Sequence, residues 1–326
     1  MSTVAVLRNP TAGRGRHRDG VTAALRALAE AGHVVKTIDA ATRDEAAAAS
    51  RQAVADGIDA LVVIGGDGTV HLGLQAVAGT RVALGVVPTG TGNDFARALG
   101  VPLDLAAAGR TIARALDEGR YTTVDLARIT PGSTTEPDRP AAPGPGGPSW
   151  WFGAVLAAGF DALVNERANA MRWPKGRRRY DLAVLAELIS MDQRHYRITL
   201  DDTVLEQPAC LVAVGNTPSY GGGLRMCPDA RPTDGLLDVV VADPVSRLTL
   251  IRLYPRVFRG THVRHPAVRT YRTRSVTIET RPRPTAPGGR RSRDGADVIV
   301  GYADGERIRP LPLTITAVPA ALNVLV

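Results

Sequence analysis

Leu61-Val62-Val63-Ile64-Gly65-Gly66-Asp67-Gly68-Thr69 sets a glycine-rich turn directly on the end of an apolar run. A second turn of the same kind follows in Pro88-Thr89-Gly90-Thr91-Gly92-Asn93-Asp94-Phe95-Ala96-Arg97. Glycine lets backbone N–H groups approach an anion with no Cβ in the way, and a helix starting at such a turn adds its positive end. An aspartate in each turn adds a hard oxygen ligand, so the pair suggests a phosphate and metal site. Neither turn carries the lysine of a P-loop or a GxGxxG fingerprint.

Working outward, short apolar strands at 4–7, 34–37, 60–64 and 82–87 alternate with helical spacing at 19–31, 44–56, 70–77 and 93–99. That alternation predicts parallel βαβ units with right-handed crossovers. Ligands of such sheets sit beyond the carboxyl ends of the strands, and Asn9, Asp67 and Asp94 all fall just after predicted strands. From about 122 the texture changes to strand-like runs at 123–129, 151–157, 196–200, 211–214, 236–241 and 276–280, which predicts a largely β second domain. Residues 131–148 and 281–295, rich in Pro and Gly, read as loops.

Composition narrows the function. The chain has 326 residues, 44% hydrophobic, enough for two domains with cores. It has no uninterrupted apolar run long enough to span a bilayer and no leader pattern at its start, so a cytoplasmic location is expected. The two cysteines, Cys210 and Cys227, lack the clustering of a zinc site and read as buried thiols. A net charge of +8 fits an anionic partner. Nucleic acid is not expected, because aromatics make up only 4% of the chain and no basic stripe interleaves with them. Lys36 and Lys175 are the only lysines; the arginine bias suits phosphate recognition and equally fits genomic composition.

Together the two glycine turns resemble the catalytic domain shared by diacylglycerol kinases, sphingosine kinases and bacterial soluble lipid kinases. Asn9-Pro10-Thr11-Ala12-Gly13 resembles the family's first nucleotide loop, and Val124-Asp125-Leu126 its strand between domains. Gly159-Phe160-Asp161-Ala162, Asp234-Gly235-Leu236-Leu237-Asp238 and Ala303-Asp304-Gly305-Glu306 resemble later signatures. The resemblance implies a phosphofructokinase- or NAD-kinase-like α/β nucleotide domain, 1–125 with 308–326, and a mostly β sandwich domain, 126–307. The active site would lie in the cleft between them, with 313–326 returning as a strand to the first domain.

It implies further an ATP-dependent kinase that phosphorylates a lipid hydroxyl, most simply that of diacylglycerol. ATP would be held by Asn9 to Gly13, by Thr37, and by Gly65, Gly66, Asp67, Gly68 and Thr69. Thr91, Asn93, Asp94 and Glu306 would complete that set. Asp67, Asp94 and Asp125 would surround Mg2+ and its waters, and Asp304 would be the general base with Glu306 beside it. Asp234, with the carbonyls of Arg231 and Leu236, would hold a structural Mg2+. Thr42 is an alternative to Thr37, which is favoured because it ends a strand. Alternatives are a kinase for a sphingoid base or other glycerolipid, more distantly an NAD kinase or phosphofructokinase-like enzyme, and a catalytically silent nucleotide- or lipid-binding protein.

Two features depart from the pattern or extend it. Many bacterial relatives carry Asn and Glu where this chain has His71 and Leu72, so a contact to adenosine or ribose is missing or replaced; His71 is read either as a nucleotide donor or as a helix-face histidine without a chemical task. Residues 171–180 combine Arg172, Lys175, Arg177, Arg178 and Arg179 with Trp173 and Tyr180. Segment 172–179 is therefore expected to dock on anionic phospholipids at the inner face of the membrane, with a solvated basic loop as the alternative. A homodimer is compatible with the sequence.

Overall fold

A computed structural model of the chain describes residues 1–8, 18–132, 149–159, 194–281 and 299–326. Strands β1 (Thr3–Arg8), β2 (Val34–Ile38), β3 (Ala60–Gly65) and β4 (Ala83–Pro88) pair in parallel in the order β2-β1-β3-β4. Helices α1 (Arg18–Glu30), α2 (Arg43–Ala55), α3 (Asp67–Val77), α4 (Asp94–Ala98) and α5 (Leu105–Asp117) complete this half. Both sheet faces are covered, which is why β3 and β4 read as unbroken apolar runs. Val4, Val6, Val62 and Ile64 pack with Leu28 and Ile112 on one side, whereas Leu7, Leu61 and Val63 pack with Val70, Leu72 and Leu74 on the other. Leu72 is thus a core residue of α3.

The second half contains β5 (Thr122–Pro131), β6 (Trp150–Phe152), β7 (Val155–Gly159), β8 (Arg194–Leu200), β9 (Thr203–Ala209), β10 (Leu211–Gly215) and β11 (Leu237–Ala242). Helix α6 (Arg247–Phe258) follows, then β12 (Val268–Thr273), β13 (Ser275–Arg281), β14 (Val300–Ala303), β15 (Glu306–Pro310) and β16 (Leu313–Val324). Strands β12-β11-β10-β7-β14-β15 form an antiparallel sheet. It packs face to face on β5, β6, β16, β13 and β8 through Ile129, Phe152, Leu156, Ile198, Val212, Val239, Ile278 and Ile315. The architecture is a parallel α/β half joined to a β sandwich.

One sheet is shared by the halves. Leu313 to Val318 of β16 pair with β5 inside the sandwich, and Val324 pairs in parallel with Leu84 of β4. The register breaks between Val318 and Leu322, where Ala320 adopts a left-handed φ of 52°. The crossing into the parallel sheet therefore falls at this bulge, and the closing segment does not belong wholly to the first half.

Three local expectations change. Helix α3 begins at Asp67, so Asp67, Gly68 and Thr69 form its first turn. The strand expected over 151–157 is broken at Gly153 and Ala154, whose amides turn away from the ladder toward a side chain. Helices α5 and α6 and strands β9, β12, β14 and β15 fall outside the predicted elements.

Candidate active site

Gly66 caps α3 with no side-chain bond; the Thr69 amide turns back onto the Gly66 carbonyl at 2.9 Å, and the amides of Asp67 and Gly68 are left without an intrahelical acceptor. The second turn packs against the first so closely that a Cβ on Gly90 would lie 2.6 Å from the Cα of Gly66. Asp67 fastens the two together. Its Oδ2 accepts from the Asn93 amide at 2.9 Å and its Oδ1 from the Asp94 amide at 2.8 Å. Asn93 sits in the left-handed region at φ 54°, a conformation asparagine tolerates, and its side chain closes the turn by exchanging hydrogen bonds with Gly90. Its amide is therefore committed to the loop, whereas Thr91 at the tip is exposed and Thr69 is buried.

Asp94 reaches across to the sandwich half. Its Oδ2 accepts from the Gly222 amide at 2.6 Å and its Oδ1 from the Gly223 amide at 2.8 Å. Burial first, and then the charge of Asp94, push Asp67 above the usual carboxylate range against the pull of its two amide bonds. Burial likewise pushes Asp94 upward, opposed by the Gly222 and Gly223 amides and Arg97. The charge of Asp304 is felt at both. Neighbouring carboxylates that resist ionisation together mark a place suited to a cation or a proton transfer.

Asp304 arrives from the opposite side. It occupies the first position of the two-residue turn between β14 and β15, with φ 53°, and Gly305 follows at φ 82°. Two positive φ values in succession are what a tight type I′ hairpin requires, and Asp-Gly suits it. A hairpin tip is ordinarily wet, yet this carboxylate is buried and accepts from the Gly153 amide at 3.0 Å and the Ala154 amide at 2.8 Å. His71 of α3 adds a third contact, Nδ1 to Oδ2 at 3.2 Å. Glu306, two residues on, pairs with Arg43 at 2.9 Å and lies where a Cβ on Gly68 would come within 2.9 Å of its Oε1.

Asp67, Asp94, Asp304 and Glu306 thus border one junction, and Asp125 serves another. The Asp125 carboxylate accepts from the Gly235 amide at 2.7 Å and from the Ala320 amide at 2.9 Å, so it pins the β16 bulge. Among the described residues, no three acidic, histidine or cysteine side chains converge as a metal site. Asp67 and Asp94 each keep an unused lone pair on both oxygens, which fits a magnesium ion bound through its waters. Asp125, with one amide on each oxygen, keeps the same open positions.

At the expected structural magnesium site the acidic side chain carries an ion pair. Asp234 accepts from the Leu236 amide through Oδ1 and pairs through Oδ2 with Arg272, whose Nε lies 3.7 Å from Asp238. A guanidinium thus shares the Asp234 carboxylate in this arrangement. Thr37 is exposed on edge strand β2, and Thr42 is the N-cap of α2, accepting from the Glu45 amide. Asn9, Pro10, Thr11, Ala12 and Gly13 lie outside the described residues, as do Phe160 to Ala162 and the basic segment 172–179.

Sequence reasoning passed over Asn216, Gly222, Gly223 and Gln75. Asn216 is fully buried and donates to the Asp125 carbonyl at 2.9 Å and the Gly153 carbonyl at 3.0 Å, joining the two staples. The run Gly221-Gly222-Gly223 soon after strand β10 was the legible signal for the loop that Asp94 grips.

A parallel α/β half and a β sandwich, meeting at glycine-rich turns and an acidic cluster, define a two-lobed fold with a candidate site at the seam. The profile of the diacylglycerol kinase catalytic domain matches residues 3–129, and that of the YegS C-terminal NAD kinase beta sandwich-like domain matches 154–326. A diacylglycerol kinase of Mycobacterium tuberculosis is 42% identical over 323 residues, covering 99% of this chain and 94% of the relative. One from Staphylococcus saprophyticus is 26% identical over 278 residues, covering 84% of each. A crystal structure of a diacylglycerol kinase from Bacillus anthracis superposes with a TM-score of 0.67 at 21% identity, covering 99% of this chain and 96% of that one. The chain belongs to the diacylglycerol kinase catalytic-domain family and is a kinase.

Proposed function

We propose that this kinase transfers the γ-phosphoryl group of ATP to a lipid hydroxyl, with diacylglycerol the preferred acceptor and phosphatidic acid the product. The observation that carries the proposal is Asp304, held by two amides at a hairpin tip on the sandwich side of the seam, where its charge is felt at Asp67 and Asp94. The amides at the start of α3 and the exposed Thr91 would cradle the phosphates, and Glu306 would face the nucleotide beside Gly68. Magnesium, when bound by Asp67 and Asp94 through waters, would neutralise charge on the phosphates. The lipid hydroxyl oxygen forms a bond to the γ-phosphorus as the bond to the bridging oxygen breaks, its electron pair leaving with ADP. The hydroxyl proton passes to Asp304.

A lipid substrate calls for contact with a bilayer surface. Helix α6 supports this with Leu248 and Ile251, 56% and 49% exposed, beside the exposed Arg247, Arg252, Arg256 and Arg259. Apolar side chains ringed by arginines complement an anionic leaflet. The helix rests on the loop that Asp94 holds, since the Arg225 amide donates to the Val257 carbonyl at 3.2 Å. Segment 172–179 is proposed as a second basic contact with anionic phospholipid. The test is transfer of labelled phosphate from ATP to diacylglycerol, a sphingoid base and other glycerolipids presented in mixed micelles. Labelling of diacylglycerol above all others is expected; transfer to none of them would contradict the proposal and favour a silent binding protein.

A further inference from the structure

His71 is neither a bare helix-face histidine nor free to serve the nucleotide with its Nδ1. Its side chain is 6% exposed and lies between two partners, Asp304 on Nδ1 at 3.2 Å and Gln75 on Nε2 at 3.3 Å. Gln75, one helical turn further along α3, is itself fixed by the backbone of β6. Its Oε1 accepts from the Trp151 amide at 2.9 Å, and its Nε2 donates to the Trp151 carbonyl at 2.6 Å. Those two bonds decide which end of the Gln75 amide is which, because only the oxygen can accept and only the nitrogen can donate.

Gln75 Nε2 has one hydrogen left and, as an amide nitrogen, cannot accept, so across the 3.3 Å contact Nε2 of the imidazole is the acceptor. In the neutral ring the proton must then sit on Nδ1, from which it is donated to Asp304 Oδ2. We propose that Gln75 and His71 form a relay of hydrogen bonds that positions the Asp304 carboxylate, with His71 locked as the Nδ1–H tautomer. The proposal rests on the assignment of Asp304 as the base.

The relay has a consequence for which oxygen reacts. Oδ2 receives two donors, the Gly153 amide and His71, whereas Oδ1 receives only the Ala154 amide. An ionised carboxylate has about four acceptor positions, two per oxygen. Oδ1 alone keeps one open, and it is the atom that takes the proton of the substrate hydroxyl. His71 acts through Asp304 and does not touch the substrate, so it is a positioning residue. Removing it leaves the carboxylate on its two amides with less restraint on Oδ2, and a misaligned base lowers turnover more than it lowers binding.

Two measurements test the proposal. Histidine 15N–1H correlation spectra at pH 8, with His71 assigned by its loss in His71→Asn, are expected to show a protonated Nδ1 and a bare Nε2. Gln75→Leu is expected to restore a mixture of tautomers. In the mixed-micelle assay, His71→Ala should lose roughly 10- to 100-fold in kcat with KM for ATP and lipid nearly unchanged, and His71→Asn, which keeps a donor near the Nδ1 position, should recover most of it. A protonated Nε2 in the wild type overturns the proposal, even if His71→Ala fails to fold. Full turnover in His71→Ala while Asp304→Asn is inactive overturns the relay and leaves the base standing. Wild-type turnover in Asp304→Asn overturns the base assignment and the relay with it.

Discussion

The seam between the halves and the interior of the sandwich treat buried carboxylates differently. At the seam, Asp67, Asp94 and Asp304 each receive at least two backbone amides. Inside the sandwich, Asp238 is just as buried, yet its Oδ2 has no hydrogen-bond partner, and its charge is answered at a distance by Arg272, 3.7 Å away, and by Arg231. Turns can aim several N–H groups at one point, whereas a strand interior spends its amides on the ladder. Charge is therefore supported where the chain turns, and the seam between the halves is where its turns converge.

Breaking the seam should produce the largest stability effect. Asp94→Ala strands the Gly222 and Gly223 amides, and we expect a loss of about 2 kcal/mol in urea unfolding together with weakened activity. An unchanged midpoint would show that the halves hold together without this staple. A smaller effect is expected on the outer face of the sandwich half. Leu248→Glu with Ile251→Glu should reduce binding to vesicles containing anionic lipid about tenfold, roughly 1.4 kcal/mol, with the unfolding midpoint retained. Equal binding by variant and wild type would remove α6 from the docking surface.

The smallest effect distinguishes a supported from an unsupported carboxylate. Burial raises Asp238 to about 6. A raised carboxylate favours the fold while protonated, so its contribution is full below about pH 4 and is lost as pH rises through 6. Asp238→Asn should therefore gain about 1 kcal/mol over wild type at pH 8 and nothing at pH 4 in urea unfolding. A gain that is the same at both pH values would contradict the assignment of the cost to this charge.

The parallel half was legible because its signals are local. An apolar strand, a glycine turn and a helix start lie within a few residues at Ile64 to Val70, and the same pattern recurs at Val87 to Phe95. Helix α5 went unread although its apolar positions fall on one face and Asp104 caps it. Edge strands β9 and β12 mix polar and apolar residues and show no clean alternation. Helix α6 carries Pro255 within its span, which argues against a helix in sequence. The site was harder to read. Asp304 meets His71 across 233 positions and Asp94 meets Gly222 across 128, separations that no local pattern encodes. The ion pair at Asp234 was equally hidden, because Arg272 comes from the neighbouring strand β12.

The central claim is that a base on the sandwich half serves a nucleotide held by the parallel half. Asp304→Asn tests it most directly, because asparagine tolerates the left-handed backbone at φ 53° and the fold should survive the change. Measured as transfer of labelled phosphate from ATP to diacylglycerol in mixed micelles, the variant should lose roughly 1000-fold in kcat with its urea midpoint retained. A folded Asp304→Asn protein that transfers phosphate at the wild-type rate would contradict the account.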